Sequence, residues 1–288
     1  MFSIYVIGCG GIGGFVCDNL LMQLSSISLD AIEQSGTPIK PWLEGAGNKA
    51  LPCVADRVVL VDGDTFNPRN AIRQGAGAGS KLVQRFRKLK KDMIKVAFLQ
   101  GMELMGFNAY VNPSNMGEII PRVPKDNLDN LDMKQYANER VAVPGLAVVF
   151  LCVDNIKTRY EVSKYMEKFD DCIVFNGGNS KTSGHVTVYE RSNGRALDPN
   201  LYEVYPDVRP DADKRPDEDD CTVVSPQHDQ IAVTNCQIAN VMLMLFSRWV
   251  RQGLYHTRGK GAKAAVERYN EVLVNIDNFT MMPVYHPL

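Results

Sequence analysis

The 288 residues are 45% hydrophobic, enough to bury a sizeable core in one large domain or two small ones. Thirty-two basic residues against 33 acidic ones leave a net charge of -1, which removes any global electrostatic case for a nucleic acid or an anionic membrane as partner. No apolar run reaches the roughly 18 to 20 residues of a membrane span, and the opening "MFSIYVIGCGG" has no basic stretch or small-residue cleavage site. Seven cysteines, none in a CxxC pair, argue for a reducing compartment and against structural zinc, so the cytoplasm is the expected location.

In chain order, "FSIYVIG" reads as a strand buried on both faces, and it meets the glycines of "GCGGIGG" at once. Ile12, Phe15, Val16, Leu20 and Leu21 then follow at helical spacing, so the glycines lie where a strand hands over to a helix. Residues 25–56 carry scattered Gly and Pro and read as an insertion, followed by a second buried strand "RVVLVD" at 57–62. From Ser80 to about Leu104 the pattern is helical and strongly basic, and "NAYVN" (108–112) reads as a third strand. "LAVVFLCVD" (146–154) is the most strand-like segment, with a helix expected from about Lys157 to Lys168. "CIVFNGGN" and "HVTVYER" are two more strands. Residues 198–220 hold nine acids and four prolines and predict an unpacked, mobile crossing loop within 193–228. An apolar helix at 229–250 and a last strand "EVLVNI" follow. Alternation of this kind predicts a doubly wound, Rossmann-like α/β sheet, mostly parallel with an antiparallel C-terminal extension, in a single domain over 1–288.

Gly8, Gly10 and Gly13 fit GxGxxG between strand and helix, a turn that lets backbone approach phosphate and aims a helix N-terminus at it. Tight strand-helix packing alone would also place glycines there. Asp62 stands at the end of the second strand, where an acid holds ribose hydroxyls, although it comes 49 positions after Gly13 rather than the usual ~20. The stretch "VDGDTFNPRNAIRQ" adds Asp64, Asn70, Arg73 and Gln74, more polar groups than a nicotinamide cofactor needs from this turn. A ribose acceptor beside a phosphate cation points to a mononucleotide such as ATP. After the strand at 146–153, Asp154, Asn155, Thr158 and Arg159 form a second constellation. Asp154 there is either a ligand for phosphate-bound Mg²⁺ or a helix N-cap.

Together, Gly8-Cys9-Gly10-Gly11-Ile12-Gly13, Asp62-Gly63-Asp64 with Asn70 and Arg73-Gln74, and Asp154-Asn155 with Arg159 resemble the successive motifs of the ThiF/MoeB/ubiquitin-activating-enzyme superfamily over roughly residues 3–190. The resemblance implies ATP-dependent adenylation of a carboxylate, usually the C-terminal glycine of a ubiquitin-like or sulfur-carrier protein, by a homodimer. By position, it implies that Asp62 holds the ribose, that Asn70 and Arg73 hold phosphates, and that Asp154 holds Mg²⁺. A family lysine falls on Lys95, with Lys81 as the alternative, and a cysteine accepting the acyl group falls on Cys221, whose acidic neighbours at 217–220 would raise its pKa. The family's CxxC zinc motifs are absent. A partner-subunit arginine, which relatives supply from a segment before the first strand, is expected from elsewhere or not at all. Three other readings stay open at this point: an NAD-dependent oxidoreductase, a non-catalytic dimeric scaffold, and adenylation of a small molecule or RNA base.

Overall fold

A computed structural model describes residues 2–34, 54–64, 102–122, 146–214, 232–256 and 269–288. Its strands are β1 (Phe2–Ile7), β2 (Ala55–Val61), β3 (Glu103–Phe107), β4 (Ala147–Leu151), β5 (Cys172–Asn179), β6 (Ser183–Ser192), β7 (Arg195–Ala196), β8 (Glu271–Asn275) and β9 (Thr280–Val284). Five helices are described: α1 (Gly11–Gln34), α2 (Met116–Ile119), α3 (Ile156–Met166), α4 (Leu201–Val204) and α5 (Ala232–His256). The strands form one sheet in the order β3-β2-β1-β4-β5-β6-β8-β9, with β7 paired to β6. From β3 to β5 the pairing is parallel, and beyond β5 it is antiparallel, as the sequence predicts.

Strands β1 and β4 are buried at every position, which is why they read as unbroken apolar runs. On one face, α1 and α5 cover the sheet through Val16, Leu20, Leu24, Met242 and Phe246 packed on Ile4, Val6, Phe150 and Phe175. On the other face, α2 and α3 bring Met116, Ile119, Val162 and Met166 onto Tyr5, Val59, Val149 and Val174. The chain passes from β1 outward to β2 on one side and returns to β4 on the other. The strand order therefore reverses between β1 and β4, and it is beyond the carboxyl ends of the strands at such a reversal that α/β sheets form their ligand crevice.

Five expectations change. The third strand is Glu103–Phe107, not 108–112: it pairs in parallel with β2 from Arg57↔Glu103 to Val61↔Phe107, and an Arg57–Glu103 ion pair of 2.8 Å fixes the register. Asn112 and Asn115 instead turn the chain, with Asn112 Oδ1 accepting from Ser114 N and Asn115 Oδ1 accepting from Asn112 N. Helix α1 runs ten residues into the stretch read as an insertion, because Ile27 and Ser28 stay buried and Ser25 Oγ bonds back to Leu21 O at 2.8 Å. Gly11–Asp30 of this helix is also long and apolar enough, by length and composition, to cross a membrane, and here that apolarity is spent on the sheet and α5. The chain does not close on β8, since β9 pairs back along it. Finally, residues 198–214 are packed despite their acids: Asp198, Asn200 and Leu201 are buried, and Asn200 with Glu203 forms a capping box on α4.

Candidate active site

The turn after β1 is set by backbone sterics. Gly8 adopts φ 84°, and a Cβ there would lie 2.9 Å from the Cys152 carbonyl group. At Gly13 a Cβ would come within 1.7 Å of Gly8 O. Tight packing thus accounts for these two glycines by itself. The half-buried Gly10 and Gly11 lead into α1, whose first turn carries no acidic side chain to compete with an anion.

Asp62 follows β2 and turns its carboxylate to this glycine turn. Oδ2 accepts from Cys9 N at 2.6 Å and Oδ1 accepts from Asp64 N at 2.8 Å. Burial raises this carboxyl from 3.8 to about 6, against those two N–H bonds and with help from the Asp64 and Asp154 charges. A half-buried acid that costs free energy to ionise and still stands at the glycine turn is suited to accept ribose hydroxyls. Asp64 is anchored beside it, accepting from Tyr110 Oη at 2.7 Å, while the Tyr110 ring lies where a Gly63 Cβ would be.

On the far side of the strand reversal, the capping of α3 removes the helix N-cap reading of Asp154. The N-cap is Asn155, whose Oδ1 accepts from Thr158 N at 2.8 Å, so Asp154 keeps an exposed carboxylate on the cavity rim. Asn155 in turn has only its amide NH₂ left for a nucleotide. The first N–H groups of α3 are also engaged, because Ile156 N and Lys157 N donate to the Asp213 carboxylate at 2.6 and 2.7 Å. Among the described residues no three ligating side chains converge. Phosphate and water would be fitting further ligands for a cation at Asp154, as they are for Mg²⁺ in nucleotide sites.

Arg159 joins the carboxyl ends of β4 and β5. Its guanidinium donates to Val153 O, to Asn176 Oδ1 and to Gly177 O, the last at 2.8 Å. Burial pulls its pKa down while Asp154 and Asp213 oppose that pull, and an arginine keeps its charge there. From Asp154 and Arg159 a cavity of about 1130 Å³ extends over β5, β6, β8 and β9.

Of the residues singled out in the sequence, Gly8, Gly10, Gly11, Gly13, Asp62, Asp64, Asp154 and Asn155 lie at the two sides of this crevice. Asn70, Arg73, Gln74, Lys81, Lys95 and Cys221 lie outside the described residues. The described cysteines at 9, 17, 152 and 172 are buried. The neighbouring Cys17 and then burial drive the Cys9 thiol up, burial raises Cys152, and burial lifts Cys172 to about 12, so these three are packing groups and not nucleophiles. The sequence did not single out Asn176, His185, Tyr205 or Asp213. The last two were hidden by the acidic composition around them, and the double glycine at 177–178 was the one local signal of a close approach.

No protein-family model matches the sequence, and no curated relative does. Solved structures share the fold. PaaA is 12% identical with a TM-score of 0.51, over 99% of this chain and 64% of its own. Escherichia coli MccB is 12% identical with a TM-score of 0.51, over 100% of this chain and 63% of its own. MccB has also been solved with ATP, at 11% identity, TM-score 0.51 and 65% of its length. The chain thus spans just under two thirds of the length of these proteins.

Proposed function

We propose that this chain belongs to the ThiF/MoeB/ubiquitin-activating-enzyme superfamily and adenylates a carboxylate with ATP. The observation that carries this reading is the half-buried Asp62 carboxylate after β2, held by Cys9 N and Asp64 N at the glycine turn, with the exposed carboxylate of Asp154 standing after β4 on the other side of the strand reversal. MccB, with the same fold, has been solved with ATP, and with AMPCPP together with MccA, which supports a nucleotide as ligand and a second partner beside it.

In this reading Asp62 accepts the ribose hydroxyls and the start of α1 offers N–H groups to phosphate. Asp154 holds Mg²⁺, which when bound screens the phosphate charge and polarises the α-phosphorus, and the Asn155 NH₂ donates to the nucleotide. Asn70, Arg73, Gln74 and Lys95 complete the phosphate contacts by their place in the family pattern. A carboxylate oxygen attacks the α-phosphorus, an oxygen–phosphorus bond forms, and the bond to pyrophosphate breaks, with Arg73 and Lys95 stabilising the leaving charge. The substrate is the C-terminal carboxylate of a peptide or of a ubiquitin-like or sulfur-carrier protein ending in glycine, and Cys221 is the thiol for any onward thioester. A cytoplasmic homodimer belongs to the same proposal.

The test is exchange of labelled pyrophosphate into ATP. Exchange is expected only with Mg²⁺ and a free carboxylate, and Asp154→Ala is expected to lower it roughly 100-fold or more without changing the melting temperature. Unchanged exchange in that variant would remove Asp154 from the site.

A further inference from the structure

The antiparallel part of the sheet has one face on α5, where Val186, Val272 and Val274 pack against Ile238 and Met242. Its opposite face forms the floor of the 1130 Å³ cavity. Strand register sets Gly178, His185, Leu273 and Met282 directly opposite one another, in one row that crosses four strands away from Asp154. The row changes character along its length. At the Asp154 end stand the Arg159 guanidinium, Asn176 and Asn179, and at the far end Leu273, Met282 and Phe279.

Two side chains mark this groove. Phe279, at the tip of the β8–β9 turn, is 95% exposed and adopts φ 51°, a left-handed conformation that a bulky side chain takes only at a cost. His185 stacks against Tyr205 with ring centroids 5.1 Å apart, and neither of its ring nitrogens has a hydrogen-bond partner among the described residues. The platform beneath the cavity is fixed: Tyr205 Oη bonds the buried Glu271 carboxylate, which His286 Nε2 meets from the other side at 2.7 Å. Burial, with the Arg159 charge, lowers the His185 pKa and favours the neutral ring, which can both donate and accept.

From β5 to β9 is three strand spacings, about 14 Å, and an extended chain covers that distance in about four residues. Resting on the adenylation reading, we infer that this groove takes the extended end of a peptide, with its carboxylate at the Arg159 guanidinium. The groove selects a bulky apolar residue about four positions before that carboxylate, seated on Phe279, Met282 and Leu273. A peptide suits the groove better than an acyl chain, because Ser183 and His185 on β6, Asn275 on β8 and Thr280 on β9 line it with hydrogen-bonding groups that a hydrocarbon would leave unpaired.

The test uses the full chain with Mg-ATP and acetylated hexapeptides of alanine and serine with a free carboxyl end, in which one phenylalanine is walked along the sequence. Pyrophosphate exchange is expected to peak at least tenfold in kcat/KM when phenylalanine stands about four positions before the terminus. Phe279→Asp and Met282→Asp should abolish that peak and leave ATP affinity unchanged. Phe279 is exposed, so its variant folds. The inference is overturned if exchange ignores the position of phenylalanine, if both variants keep the peak, or if decanoate outperforms every peptide. Binding of the same peptides, labelled with fluorescein and followed by anisotropy without ATP, separates the two claims. Position-dependent binding lost in Phe279→Asp, with no exchange, keeps the groove and removes adenylation. Binding that ignores phenylalanine position, with exchange intact, does the reverse.

Discussion

In the parallel half of the sheet, β1, β2 and β4 lie between helices on both faces; in the antiparallel half, among the described residues, only α5 packs as a long helix, and the other face floors a cavity. The difference governs how each half meets a ligand. Where both faces are buried, a ligand reaches only strand ends, so the parallel half presents main-chain N–H groups, glycines and the carboxylates of Asp62 and Asp154. Where one face is open, side chains along the strands are available, and the antiparallel half presents His185, Leu273 and Met282 in a row.

Arg159 sits where the two halves meet, and its loss should have the largest effect. Arg159→Met leaves Val153 O, Asn176 Oδ1 and Gly177 O without their donor, so urea unfolding should show a loss of about 4 kcal/mol. A loss under about 1 kcal/mol would mean that the guanidinium is not the tie between β4 and β5.

The next effect belongs to the parallel half. The native Asp62 carboxyl, at about 6, lies above its ordinary 3.8, so the native state holds this proton more tightly than the unfolded chain. Its contribution to stability is complete below pH ~4 and is lost as pH rises through ~6, by about 2 to 3 kcal/mol. Denaturant midpoints measured across that window in the absence of nucleotide should show the slope in the wild type, and Asp62→Asn should flatten it.

The smallest contrast applies one substitution to both halves. Gly13→Ala drives a Cβ to 1.7 Å from a backbone oxygen, whereas Gly178→Ala meets the edge of the His185 ring at 2.9 Å, which a side chain relieves by rotating. Losses of roughly 3 and 1 kcal/mol are expected. Equal losses would contradict the view that the parallel turn is set by backbone and the groove by side chains.

The same division explains what could be read in the sequence. Doubly buried strands announce themselves as apolar runs, and β1, β2 and β4 fall where "FSIYVIG", "RVVLVD" and "LAVVFLCVD" place them, with the glycine turn and Asp62 at their ends. Strand β3 is an edge with Glu103 and Gly106 exposed, so its pattern gives no clear period and the alternation of "NAYVN" misleads. The groove was hidden for another reason. Tyr205 and Asp213 lie in a stretch whose composition says loop, yet a stacked ring and two helix N–H donors hold them in place. His185 reads as one position of a strand, and its stacking partner Tyr205 is 20 positions away and its register partner Leu273 is 88. Such pairings are tertiary, and no local pattern carries them.

The central claim is that the crevice between Asp62 and Asp154 binds ATP and not a dinucleotide. Calorimetric titration of the full chain with Mg-ATP and with NAD tests it most directly. The account predicts that Mg-ATP binds, that Asp62→Ala weakens it more than tenfold, and that NAD gives no heat. NAD binding that depends on Asp62, with none for ATP, would contradict it.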